Sequence, residues 1–282
     1  MLIGIGAIFL SASIRDNSNI GYYIFFIVIA IAFSLSFGYF KNAPIFKLSN
    51  KGLLHKNTFY SWEELSLVKL TGKGDMIFTS GECAALTFKD TTKIQIFDDF
   101  YSNISEIKCL IQDVVIDKKE EIEIKEQEIN PIGIDRELFV TYKGNPIFSF
   151  RGVLMWGFIV FINMIPIFSN KPINTNSFLL FMPLCLFWFI INSCMLHFFE
   201  ISKKYFVVKN HYFFWKKDIY AIQNIKEIVF ESQPKQANKI RIITKNFKTK
   251  FYLAGSLTDK TWLEMKKELE NKNIIVRNES II

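Results

Sequence analysis

Residues 152–168 read GVLMWGFIVFINMIPIF and residues 177–199 read SFLLFMPLCLFWFIINSCMLHFF, two uncharged apolar runs divided by the polar turn Ser169, Asn170, Lys171 and Pro172. A helix rises about 1.5 Å per residue, so roughly 20 apolar residues cover the ~30 Å hydrocarbon layer of a bilayer. Helices in water keep one polar face, and neither run has one. The pattern therefore predicts a transmembrane hairpin over residues 148–199.

Working outward, residues 20–40 form a third uncharged run, IGYYIFFIVIAIAFSLSFGYF, and residues 1–14 a shorter apolar stretch. The shorter one lacks the charged start of a signal peptide, and Ser11, Ala12 and Ser13 make a weak cleavage match. Residues 1–40 are read as a first hairpin with a short first helix.

A shift of 153 residues lays 1–14 on 154–167 and 20–40 on 173–193. The same shift pairs Phe46 with Phe199, Ser49 with Ser202, Lys51 with Lys204, Lys56 with Lys209, Asn57 with Asn210 and Trp62 with Trp215, six identities in seventeen positions. Beyond Trp215 the register slips by about seven residues, which predicts a longer hairpin in the second copy. The chain divides into a hairpin at 1–40, a sheet-forming domain at 41–116, a mixed-charge linker at 117–147, a hairpin at 148–199 and a second sheet-forming domain at 200–282.

Within the first domain, short runs rich in β-branched and aromatic residues alternate with turn residues. Strands are expected at 46–48, 52–60, 62–70, 76–79, 85–88 and 93–97, then a helix over 100–114 carrying Ile104, Ile107, Leu110 and Ile111 on one side. The second domain repeats the order at 205–215, 219–231, 239–244 and 248–253. A helix follows, opened by Ser256, Leu257, Thr258 and Asp259 as a capping box and carrying Trp262, Met265 and Leu269 inward. Five to seven strands and a terminal helix predict a small half-open β-barrel, giving the class of membrane helical hairpins plus α+β.

The motif F-x-L-S-x-x-G-L at Phe46 to Leu53, behind a membrane hairpin and ahead of Trp62, Glu63, Glu64 and Leu65, resembles the bacterial pleckstrin-homology-like membrane proteins. The second copy departs from it with Tyr205 where the first has Gly52. The resemblance implies two tandem barrels on the cytoplasmic side and carries no functional residue with it.

Charge gives the same orientation. Lys41, Lys47, Lys51 and Lys56, then Lys143 and Arg151, then Lys203, Lys204 and Lys209 flank the runs on one side, against Arg15 and Lys171 in the turns. A multi-pass protein of the inner membrane is expected, with both barrels and the C-terminus in the cytoplasm. Cys83, Cys109, Cys185 and Cys194 show no disulfide spacing.

The net charge of +7 is unevenly spread, with seventeen basic and nine acidic residues in 199–282 and nine of each in 41–116. A basic domain beside an anionic leaflet gains about 1 kcal/mol per well-placed cation. The candidate anion-binding residues are Lys203, Lys204, Lys216, Lys217, Lys239, Arg241, Lys245, Lys248 and Lys250. The partners expected are membrane lipids or a membrane protein.

Catalysis finds no support, since His55, His197 and His211 form no metal or acid–base motif and Gly255-Ser256 lacks a nucleophile elbow. No metal or cofactor is implied. Nucleic acid is not expected although Tyr212, Phe213, Phe214 and Trp215 could stack on bases, and the runs lack the buried ionisable groups of a transporter. The expected function is a non-enzymatic membrane-anchored module binding anionic lipid or a protein, the alternative being an accessory subunit of a membrane complex.

Overall fold

The computed structural model describes residues 19–76, 80–119, 137–168, 175–232 and 237–279. The expected short helix at 1–14, most of the strand at 76–79, much of the linker and the turn at 169–172 lie outside these residues. The chain forms two compact units, residues 1–124 and 125–282.

Unit 1 opens with α1 (Ile20–Asn42) and a meander of β1 (Phe46–Ser49), β2 (Gly52–His55) and β3 (Thr58–Ser61). Lys56 and Asn57, both at positive φ, make the two-residue turn between β2 and β3. That conformation matches the right-handed twist of the strands it joins. A 3-10 turn at Trp62–Glu64 leads to β4 (Leu65–Lys69), which with β5 (Lys73–Asp75), β6 (Ser80–Phe88) and β7 (Lys93–Phe97) forms a second sheet. Helix α2 (Ile104–Ile111) closes the unit and runs into a π-turn at Gln112–Ile116.

Unit 2 contains α3 (Phe150–Phe168) and α4 (Thr175–Ser193), then β9 (His197–Ile201), β10 (Tyr205–Asn210) and β11 (Lys217–Ala221). A 3-10 turn at Ile222–Asn224 leads to β12 (Ile225–Glu231), β13 (Lys239–Thr244) and β14 (Thr249–Leu253), followed by α5 (Asp259–Asn271). Three strands of this unit escape the sequence reading, one of them β9, whose opening residues lie in the run to residue 199 expected as membrane helix. β8 (Val140–Tyr142), from within the expected linker, pairs with β9, and β15 (Ile275–Glu279) returns after α5 to lie parallel to β12. The sheet orders are β11-β10-β9-β8 and β14-β13-β12-β15.

The core of unit 2 lies between these sheets and α5. Phe206 and Val208 point inward from alternate positions of β10, and Trp262, Met265 and Leu269 form the buried stripe of α5. The Trp262 ring meets Phe230 edge-on at 4.9 Å. The helix is capped by Thr258, whose hydroxyl accepts from Thr261 N. Ser256, expected as the cap, makes a different contact described below.

The copies share detailed features. Each 3-10 turn is held from the first meander, by Trp62 N donating to Lys51 O in one and Ile222 N to Lys204 O in the other. Each following strand carries a β-bulge, between Leu65 and Leu67 and between Ile225 and Glu227. Each later hairpin turn holds one residue at positive φ, Thr91 and Phe247. Trp62 therefore corresponds to Ile222, not to Trp215. The seven-residue slip falls before Trp215, in the connection from β10 to β11.

Three corrections follow. The first run of the expected second hairpin is helical and the second is helical only to Ser193, with residues 197–199 in β9 instead, and among the described residues no helix is long and apolar enough to cross a membrane. A span needs about 20 consecutive apolar residues, whereas α3 and α4 are 19 residues each and α3 has Arg151 in its first turn; α1, the described part of the expected first hairpin, is not a candidate span either. This overturns the reading as an integral, multi-pass protein of the inner membrane, and with it the assignment of barrels and C-terminus to the cytoplasm. The barrels are corrected as well: among the described residues the sheets are open, their edge strands paired on one side only. The run 205–215 is not one strand, because β10 stops at Asn210 and the aromatics after it form a loop.

Candidate functional site

The connection His211–Lys216 replaces the two-residue turn of the first copy with six residues, His-Tyr-Phe-Phe-Trp-Lys. Asn210 builds its start. Its buried side chain donates from Nδ2 to Ser193 O at 2.8 Å, and its Oδ1 accepts from Tyr212 N and Phe213 N at 2.9 and 3.0 Å. This Asx-type arrangement turns the backbone away from the strand and ties it to the end of α4.

Tyr212 then locks the loop to the helix pair. Its hydroxyl accepts from Trp156 Nε1 of α3 at 3.0 Å, and its ring meets Phe189 of α4 edge-on at 5.1 Å. His211 fixes the other flank. Its ring packs on Phe198 at 4.8 Å, and its Nε2 lies 3.2 Å from Ser256 Oγ. Burial, then the charge of Lys143, depress the imidazole pKa to about 4, so it is neutral at pH 7. Ser256 is only 3 % exposed, so this serine and histidine hold backbone segments together instead of facing a substrate.

What the anchored loop presents is apolar. Phe214 is 81 % exposed and Trp215 68 %, with their rings 5.0 Å apart and nearly perpendicular. Lys216 and Lys217 follow immediately and are exposed. Large aromatics normally bury most of their surface, so a rigidly held exposed pair is the unusual feature. The adjoining helices also turn apolar side chains outward, among them Phe150, Val153 and Phe161 on α3 and Met182, Leu186 and Phe187 on α4.

Seven of the nine candidate cations fall into three surface groups. Lys216 ends the loop and Lys217 opens β11 beside it. Lys203 and Lys204 lie at the opposite end of β10, roughly 17 Å away along a strand rising about 3.3 Å per residue, with Lys204 3.9 Å from Glu137. Lys245 and Lys248 are exposed at the turn between β13 and β14, and Lys250 pairs with Asp218 at 2.9 Å.

Lys239 and Arg241 are not surface cations. Both are buried against Glu231, at 2.9 and 2.7 Å. Burial alone would raise the Glu231 carboxyl pKa, but the opposing charges of Arg241 and Lys239 hold it below the ordinary range. Their charge is spent inside the protein.

Sequence reasoning named Phe214 and Trp215 only within the aromatic run 212–215, without separating them from Tyr212 and Phe213. A strand shows side chains to both faces, so a predicted strand through 215 buried half of them; the missed signal was Asn210 followed by an insertion relative to the first copy. Among the described residues no cluster of His, Cys, Asp and Glu could hold a metal ion. No protein-family model matches the chain. No curated protein matches it.

Proposed function

We propose that unit 2 is a non-enzymatic binding module that docks on an anionic lipid surface through the loop His211–Lys216 and the adjoining Lys217. The exposed Phe214 and Trp215 pair carries the reading. Aromatic rings favour the interface between headgroups and acyl chains, and adjacent lysines reach lipid phosphates. This is attachment to the surface of a bilayer, not passage across it.

Magnitudes agree with a reversible attachment. Each lysine near an anionic leaflet contributes about 1 kcal/mol, and full burial of a large apolar side chain about 1.5–3 kcal/mol, with interfacial burial giving less. The outward apolar residues of α3 and α4 beside the loop add surface that favours the same layer. Pinning by Asn210 and Tyr212 means little chain entropy is lost when the rings insert.

Co-sedimentation of the full chain with phosphatidylglycerol vesicles tests the reading, compared with phosphatidylcholine vesicles and with a Phe214→Ser/Trp215→Ser variant. Binding to the anionic vesicles that falls at least tenfold in the variant is expected. Equal binding by both proteins would remove the loop from any lipid role and favour a protein partner for this face.

A further inference from the structure

The segment that joins β8 to α3 repeats the device that builds the aromatic loop. Asn145 Oδ1 accepts from Ile147 N and Phe148 N, both at 2.9 Å, as Asn210 Oδ1 accepts from Tyr212 N and Phe213 N. Ser149 then caps α3: its hydroxyl accepts from Gly152 N at 3.1 Å, and its backbone N–H donates to Asn145 O. A side chain at position 152 would run into the carbonyl oxygens of Pro146 and Ile147, so glycine lets the helix start close against the turn. Together these contacts hold the backbone from Asn145 to Gly152 in one shape.

The turn and the aromatic loop share a mount. Tyr142 is buried in the core just ahead of the turn, and Gly144 packs on the Ser256 carbonyl. The hydroxyl of the same serine lies 3.2 Å from His211 Nε2, at the root of the loop. What the turn displays is again apolar: Phe148 is 79 % exposed and Phe150 81 %, with Ile147 exposed beside them. Lys143 precedes it and Arg151 follows it, and the chain holds no acidic residue from 138 to 199. A rigid apolar tip flanked along the chain by cations alone complements the boundary layer of an anionic bilayer.

We infer that the turn Asn145–Ser149, with Phe150, is a second membrane-docking element, which inserts Phe148 and Phe150 into the same anionic surface that takes Phe214 and Trp215. The inference rests on the lipid-docking reading of the loop and extends it. Two points on one mount fix which face of unit 2 turns toward the lipid, where a single point leaves the unit free to roll. Both tips are pre-shaped and sit on different segments, so their effects on binding multiply.

Co-sedimentation of the full chain with phosphatidylglycerol vesicles is the test. Phe148→Ser/Phe150→Ser is expected to bind at least fivefold more weakly than the wild type, and its combination with Phe214→Ser/Trp215→Ser more weakly than either pair alone. These side chains are exposed, so the variants keep the fold, which circular dichroism checks. Phe148→Trp in the Trp215→Phe chain places an indole reporter on the turn. Its emission, taken as the difference from Trp215→Phe, should shift to the blue and be quenched by brominated lipids. Wild-type binding by Phe148→Ser/Phe150→Ser, with Phe214→Ser/Trp215→Ser impaired, overturns the inference and leaves the loop reading standing. Equal binding by all the variants overturns both. Self-association in sedimentation velocity that is lost in Phe148→Ser/Phe150→Ser, with lipid binding unchanged, would give this surface to a second copy of the chain instead.

Discussion

Arg241 Nε lies 2.7 Å from Glu231 Oε1, with both side chains almost wholly buried between β12 and β13. Lys239 completes the group from the same face of β13. A buried ion pair is costly to break, because the survivor is left charged in a poorly solvated place.

Glu231→Gln is therefore expected to destabilise unit 2 by about 3–5 kcal/mol. Lys250→Gln, which breaks the exposed pair with Asp218, is expected to cost under about 1 kcal/mol. Urea unfolding of the two variants checks the contrast, and similar midpoints would contradict the buried assignment.

Acid should loosen the loop anchor before it attacks this triad. His211 has a folded pKa of about 4 against an ordinary 6.5, depressed chiefly by burial, and His197 is lowered in the same direction and for the same first cause. The unfolded chain then binds more protons between those values, so stability falls as pH drops from 6.5 toward 4. The contribution of Glu231, whose folded pKa is also depressed, is complete above its unfolded value and is lost only at lower pH, as the carboxyl titrates through its folded pKa. Thermal melts over pH 4–7 should slope downward toward acid and flatten in His211→Gln; an unchanged slope would show that His211 is not the group responsible.

Gly144 packs against the turn ahead of α5 with no room for a side chain, since a Cβ there would lie 1.6 Å from the Ser256 carbonyl oxygen. Gly144→Ala should cost about 1–3 kcal/mol through forced backbone movement. It should also disturb the Ser256 and His211 contact. A histidine ring NMR shift in the variant reports the second effect, and a stable variant with the wild-type shift would show that the approach is looser than described.

The parts of the fold legible in the sequence are those with local causes. The 3.6-residue spacing of Trp262, Met265 and Leu269 marks α5, and the apolar runs mark the helices at 150–168 and 175–193. β8 was hidden because three residues in a charged stretch carry no period, and only Tyr142 reaching the core reveals it. β15 pairs with a strand more than forty residues away, which local pattern does not encode.

Charge counting located the basic excess in the right unit but not on the right surface. Lys239 and Arg241 alternate with apolar residues as a solvent-facing pair would, and only the partner Glu231 on the neighbouring strand shows that they are enclosed. Apolar length misled in the same way: uncharged residues imply contact with something apolar, not a crossing.

The most direct measurement of the central claim is the fluorescence of Trp215 during vesicle binding. The difference in emission between the wild-type chain and Trp215→Phe isolates this indole from the other four tryptophans. On adding phosphatidylglycerol vesicles, that difference should shift to the blue and be quenched by lipids brominated near the headgroup end of the acyl chain. In 0.5 M salt it should weaken without vanishing, since the lysine part is screened and the aromatic part is not. A difference spectrum that stays red and unquenched while the protein sediments with the vesicles would contradict docking through this loop.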